Sequence, residues 1–281
     1  MNRVLVCYPP GPLYQRGEDR CQGNIEDSAA TSMRACNDLG YAAAVLLREG
    51  YSVRLRDYQT ERVSIEEVYE DITSFDPEMI MVSVTNATIY DDIEFVKNIR
   101  RYTNAVIVFK GAIFYAPEKK MLQLLDLSDV AYLIGGEVDS CIGEIANYHF
   151  MGKGNISEIH NICYKKGDEF VINQFHVWDD DLDAIPFPAR NYMKNELYIR
   201  TDNGRPMATI QTSRGCPAGC IYCLSPDISG RNVRYRSPEN VMEEIRECYD
   251  TYGIKDFFFK ADTFTINETW TKRLCELIIE S

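Results

Sequence analysis

Met207-Ala208-Thr209-Ile210-Gln211-Thr212 runs directly into Ser213-Arg214-Gly215-Cys216-Pro217-Ala218-Gly219-Cys220-Ile221-Tyr222-Cys223. The first stretch is a short apolar run of the kind that forms a buried strand. The second puts three thiols, Cys216, Cys220 and Cys223, on one tight loop at that strand's end. Three thiolates hold three irons of a 4Fe–4S cluster, whereas a cluster that only carries electrons takes four. The iron left over is an open coordination position, as a catalytic metal requires. Gly215 and Gly219 are read as letting the backbone bend closely around such a group. Two other readings stay open: a zinc site, which normally wants four donors in paired spacings, and buried, unligated cysteines.

Downstream of the loop, Ser237 reads as a helix N-cap, Pro238 as the first helical position and Gly253 as the residue after the end. Val241, Ile245, Cys248, Tyr249 and Tyr252 make one apolar face at helical spacing. A strand follows at Asp256–Lys260, and a helix starting near Asn267 is expected to bury Trp270, Leu274, Leu277 and Ile278. Residues 206–281 thus read as two βα units. Two parallel strands leave faces and edges open, so this segment is expected to be incomplete, either part of a longer protein or completed by another segment.

Upstream, short β-branched runs alternate with helical patterns, the signature of a parallel sheet covered on both faces. Strands read at Val4–Cys7, Ser52–Arg56, Met79–Val84, Ala105–Phe109 and Ala131–Ile134. Helices read at about Asn37–Glu49, Ser64–Ser74, Thr88–Arg101, Ala116–Leu125 and Ser140–Tyr148, with Gly50 placed as a C-terminal glycine. Five such units favour a flavodoxin-like α/β sheet over residues 1–150, with ligands at the carboxyl ends of the strands. The loop after the first strand, Tyr8-Pro9-Pro10-Gly11-Pro12 through Gly23, is unusually long, and long loops in compact domains are usually functional. Residues 151–205 read as a connector. It holds a hairpin pairing Asn161–Tyr164 with Phe170–Asn173, an acidic run Asp179-Asp180-Asp181, and Ile185-Pro186-Phe187-Pro188-Ala189-Arg190, which two prolines hold extended.

The chain has 281 residues and a formal charge of −13. That charge repels phosphate backbones and argues against non-specific nucleic-acid binding. No apolar stretch approaches the roughly 18 residues of a membrane span, and the first residues make no signal peptide, so the expected address is the cytoplasm. Of the ten cysteines, the seven outside the loop read as small buried hydrophobes.

At the cysteine loop the sequence resembles the radical S-adenosylmethionine (SAM) superfamily, whose hallmark is Cys-x3-Cys-x2-Cys after the first strand of a partial (β/α) barrel. Ser213-Arg214-Gly215-Cys216-Pro217, Arg234-Tyr235-Arg236-Ser237-Pro238-Glu239-Asn240-Val241 and Phe259-Lys260-Ala261-Asp262-Thr263-Phe264-Thr265 resemble its cobalamin-binding branch, as does Ile185–Arg190. The resemblance implies a 4Fe–4S cluster on Cys216, Cys220 and Cys223 whose open iron chelates SAM and cleaves it to a 5′-deoxyadenosyl radical. By position it implies Tyr222 along the adenine and Asp262 at the methionyl ammonium, where a carboxylate would pair with the cation. The alternatives are a packed core tyrosine and a solvated loop aspartate. Many relatives have a second acidic residue where this chain has Ala261.

The resemblance makes cobalamin the ligand of residues 1–150. Ser83 and Thr85, Gly111, and Gly135-Gly136 in the strand-end loops would let a corrin approach, although ordinary βα turns favour the same residue types. Relatives of the mutase type ligate cobalt through a histidine after the first strand, and this loop has none. His149, His160 and His176 all come later and read as surface or connector residues. Cys21 and Tyr14 are the loop's other candidates for the cobalt face.

The implied activity is cobalamin-dependent methylation of unactivated carbon, with one SAM methylating cob(I)alamin and another supplying the radical. It implies a small-molecule substrate and an electron donor such as flavodoxin or ferredoxin. Radical cyclisation, oxidation or C–C coupling with an empty first domain is the alternative. A non-catalytic iron–sulfur electron carrier is a third reading, against which the open iron argues. No catalytic side chain of the chain itself is singled out, and the substrate cannot be read.

Overall fold

A computed structural model describes residues 1–16 and 33–281. Five strands form the expected parallel sheet: Arg3–Tyr8 (β1), Ser52–Asp57 (β2), Met79–Ser83 (β3), Val106–Lys110 (β4) and Val130–Ile134 (β5). Their spatial order is β2-β1-β3-β4-β5, the flavodoxin-like arrangement, and all four pairings are parallel. β3 is buried at every position because helices cover both faces of the sheet. Two apolar clusters result. One packs Val4, Val6, Met79 and Met81 against Asn37–Arg48 (α1) and Ile142–Met151 (α6). The other packs Leu5, Ile80, Val82 and Phe109 against Ile65–Phe75 (α3) and Ile89–Ile99 (α4). Short helices at Tyr58–Glu61 (α2) and Lys119–Leu124 (α5) complete the layers. Ser64 and Glu67 form a reciprocal cap at the start of α3.

The sheet continues past residue 150, where the sequence pattern places its end. Ile162–Lys166 (β6) pairs antiparallel with β5, and Glu169–Ile172 (β7) pairs with β6. The hairpin inferred for the connector therefore forms, but as the last two strands of a seven-stranded sheet. Cys163 and Ile162 are fully buried on its two faces, which explains the docking.

The second unit contains Met207–Gln211 (β8), a minimal antiparallel pair of Ser213–Arg214 (β9) with Arg234–Tyr235 (β10), and Asp256–Lys260 (β11) parallel to β8. Ser225–Ser229 (α7), Pro238–Tyr252 (α8) and Glu268–Glu280 (α9) are its helices. The side chain of Ser237 caps α8, Pro238 opens it, and Gly253 ends it at φ +66°. Asn267 caps α9 by accepting from the Trp270 amide at 3.0 Å. Val241, Cys248, Trp270 and Leu274 pack with Ala208 and Ile210. Tyr249 and Ile278, read as core from the helical spacing, are instead exposed, because the helices meet only two strands here.

Ile185–Arg190 joins the units. Its extended backbone lies on α1, where the Ala189 amide donates to the Gly40 carbonyl at 3.0 Å. A Cβ on Gly40 would come within 2.8 Å of Pro188, so the contact needs glycine. Arg190, almost fully buried, donates to the Thr209 carbonyl at 3.1 Å and to Glu244 at 2.5 Å. Arg236 approaches the other oxygen of Glu244, so one buried carboxylate faces two guanidiniums. From the first unit, Asn37 donates to the same Thr209 carbonyl at 2.7 Å. Both units thus converge on one strand, β8, which carries the cysteine loop.

Candidate functional site

The loop leaves β9 through Gly215, at φ +94°, where an added Cβ would stand 2.2 Å from the Asn232 carbonyl oxygen. Only glycine fits there. Gly219 differs from the expectation: a Cβ on it meets open space. The Cys216 amide donates to Gly230 at 2.9 Å, which closes the two ends of the loop on each other. Cys216 is buried, its sulfur 3.8 Å from the Thr263 hydroxyl, while Cys223 is half-buried and Cys220 exposed. Among the described residues no three of His, Cys, Asp and Glu are gathered to hold a single ion. Three thiols on one loop are a donor set that a cluster uses one iron at a time, whereas a structural zinc takes four ligands.

Beside the cysteines, Ile221 is fully exposed and Tyr222 is 86% exposed. Tyr222 is therefore no core tyrosine; its ring is presented on the loop's open side. Asp262, just beyond β11, accepts from the Ser225 hydroxyl at 2.5 Å, so it is held in place and is not a loosely solvated loop residue.

Asp262 and Ser225 line one wall of a cleft between the units. Gln211, Arg214 and Lys260 share that wall; the opposite wall is Arg16, Asn37, Asp38, Lys110 and the segment Gly136–Asp139. These second-wall residues stand at the carboxyl ends of the parallel strands, where open α/β sheets bind ligands. The lining is polar and nearly every charge is paired. Asp38 accepts from the Ser83 hydroxyl at 2.8 Å and from the Tyr8 phenol, with the Lys110 ammonium at 3.7 Å. Burial and the neighbouring Asp38 push the Tyr8 phenol far up. Arg16 donates to the Ser83 carbonyl at 3.0 Å and pairs with Asp92 at 3.1 Å, and Thr88 donates to Asp92 at 2.7 Å. Burial raises the Asp92 carboxyl in spite of these partners.

The five strand-end residues singled out from the sequence divide. Gly136 lines the cleft. Ser83, Thr85, Gly111 and Gly135 are buried and do not line it. An added Cβ at Gly111 would meet the Val84 carbonyl oxygen at 2.6 Å, and one at Gly135 the Phe114 oxygen at 1.9 Å. The chain's own backbone accounts for those two glycines, and Thr85 is engaged with Thr88 at 2.9 Å.

The histidines lie elsewhere. His149 borders a surface hollow shared with Pro77, Glu78, Asn104 and Ala105, at the amino-terminal ends of β3 and β4. Burial lowers its pKa. His160 is exposed, and His176 contacts the Asp227 carbonyl at 3.0 Å. Tyr14 is tied through its backbone to Gln59 and is no part of the cleft wall; Cys21 lies outside the described residues.

Sequence reasoning gave no role to Arg16, Asp38, Lys110, Arg214 or Arg234. A signal existed: Lys110 is a charge ending the apolar run Val106–Phe109, and Arg214 and Arg234 are charges within strand motifs quoted only for their likeness.

Residues 210–281 match the Radical SAM superfamily. An uncharacterized methyltransferase of Pyrococcus horikoshii is 27% identical over 232 residues, covering 82% of this chain and 49% of that protein. Two solved structures superpose on the whole of this chain. One is the radical SAM methyltransferase TsrM from Kitasatospora setae with cobalamin and a [4Fe–4S] cluster bound (TM-score 0.71, 18% identity, 51% of that chain). The other is the cobalamin-dependent SAM radical enzyme OxsB with aqua-cobalamin and SAM bound (TM-score 0.74, 17% identity, 37% of that chain). The chain thus has their fold and spans about half the length of the curated relatives it matches. No described helix is long and apolar enough to cross a membrane.

Proposed function

We propose that the protein is a radical SAM enzyme that works with cobalamin and methylates an unactivated carbon of a small-molecule substrate. One observation carries the reading: Asp262 and Ser225, which flank the cysteine loop in the second unit, and the carboxyl ends of the parallel sheet form opposite walls of a single polar cleft.

In this reading Cys216, Cys220 and Cys223 hold a 4Fe–4S cluster and leave one iron open. Asp262, steadied by Ser225, receives the ammonium of the methionyl group. The exposed Tyr222 ring covers the adenine. Asp38, Lys110 and Gly136 meet the corrin, and Ser83 steadies Asp38 from behind. When bound, the cluster supplies the electron that breaks the sulfonium and cobalamin carries the methyl group. The chain's residues orient both and keep water out between the walls. A cytoplasmic setting and a flavodoxin- or ferredoxin-like electron donor complete the proposal.

The test is anaerobic reconstitution with iron, sulfide and cobalamin, followed by reduction in the presence of SAM. Formation of 5′-deoxyadenosine with cobalamin retained through gel filtration is expected. Cleavage without cobalamin retention moves the reading to a radical cyclase, oxidase or C–C coupling enzyme. Neither cleavage nor retention overturns it.

A further inference from the structure

Four charged side chains are buried together between the units: Glu137 and Asp139, just after β5, and Arg214 and Arg234 of β9 and β10. Arg214 and Arg234 are direct register partners across the antiparallel pair. Like charges opposite each other destabilise such a pair, and burial makes the conflict worse. Glu137 resolves it. One of its oxygens lies 2.9 Å from Arg214 and the other accepts from Arg234 at 2.6 Å. Asp139 accepts both terminal nitrogens of Arg214 at 2.9 Å, a bidentate fork. Burial works against the charge of Arg214, but Asp139 and Glu137 more than offset it and the guanidinium stays charged. The two arginines bracket the cysteines: Arg214 precedes Cys216 by two residues, and Arg234 also donates to the Ser229 carbonyl at 3.0 Å, next to the Gly230 that accepts from Cys216.

We propose that Glu137 is a positioning residue for the cysteine loop, tying both ends of that loop to the strand-end loop Gly135–Asp139 of the first unit. The same short segment then holds Gly136 at the cleft and, through the two arginines, both ends of the cysteine loop. Spacing between the two walls is set by this clamp rather than by the thiols themselves. The inference deepens the proposed function for the cluster, but the clamp can be tested without any metal.

The experiment uses the full chain with Glu137→Gln, which keeps shape and one acceptor but removes the charge, and Arg234→Lys, which keeps charge but loses the two-point contact of Arg234 with Glu137 at 3.1 and 2.6 Å. In the metal-free proteins, deuterium exchange is followed across residues 213–235 and across β1–β4. Amides of the loop segment should exchange at least about tenfold faster in Glu137→Gln, with β1–β4 unchanged, because losing the carboxylate leaves two buried guanidiniums facing each other. Arg234→Lys should fall between that variant and the parent. Unchanged exchange in the loop, or equal acceleration everywhere, overturns the clamp. In a second arm the proteins are reconstituted with iron and sulfide. Glu137→Gln should keep its iron but show a broadened cluster EPR signal and need at least about tenfold more SAM for the SAM-induced change. A signal and SAM response identical to the parent also overturn the positioning role. If the parent takes up no iron, the cluster assignment fails while the exchange arm still decides the clamp.

Discussion

Cys216 is buried with its amide bonded across the loop, whereas Cys220 and Cys223 stand on the open side. Each thiolate is nonetheless expected to carry one iron, so replacing any one of the three by Ala should abolish the iron–sulfur absorbance after anaerobic reconstitution. Retention of the cluster in any single variant would place the site elsewhere among the ten cysteines. The spacing of the thiols was legible in the sequence because it is local. The partners of Arg214 were not, since Asp139 is 75 residues away and only the fold brings the two together. Gly219 shows the opposite error: a glycine beside a site suggests tight geometry, yet its surroundings are open. A further residue-scale expectation concerns Asp57, whose carboxyl burial pushes up to about 6 despite bonds from the Thr60 amide and the Tyr198 phenol. Between its unfolded value near ~3.9 and about 6, the folded chain binds more protons than the unfolded one, so stability falls as pH rises through that window. The loss is about 3 kcal/mol at most. Urea titrations at pH 4 and pH 7 should show this slope reduced in Asp57→Asn; an unchanged slope would contradict the assignment.

At the scale of elements, period and caps carried the prediction. The strands β1 to β5, their flavodoxin-like order, the caps Ser237 and Gly253 and the helix start near Asn267 were all readable, because each rests on local pattern. The docking of the β6–β7 hairpin was not, since pairing to β5 depends on an exposed edge that no local pattern marks. That docking has a measurable consequence. A chain ending at residue 150 leaves the β5 edge open and loses Ile162 and Cys163 from the core. A chain ending near residue 175 should unfold cooperatively and at clearly lower protein loss to aggregation than one ending at 150. Equal behaviour of the two would mean that the hairpin adds nothing to the sheet. Residues 206–281 alone should show no cooperative transition, because β8 and β11 are two strands whose buried polar anchors, Asn37 and Arg190, lie outside that segment. A sharp thermal transition would contradict this.

For the whole molecule, the division of labour follows from where the walls of the cleft come from. His149 lies at the opposite end of the parallel strands from the cleft, and the described part of the loop after β1 supplies no imidazole. Cobalamin on the strand ends should therefore bind base-off without a protein nitrogen beneath the metal. The cob(II)alamin EPR spectrum should lack the threefold nitrogen splitting on its cobalt lines; observing that splitting would require a histidine, or the cofactor's own base, at the cleft. The loop after β8 is nevertheless the decisive element of the molecule. The most direct measurement is the EPR spectrum of the reduced, anaerobically reconstituted chain, with iron and sulfide counted, before and after adding SAM. A four-iron, four-sulfide cluster whose spectrum shifts on SAM addition is the predicted result; a cluster blind to SAM, or a chain that takes up no cluster, would contradict the account.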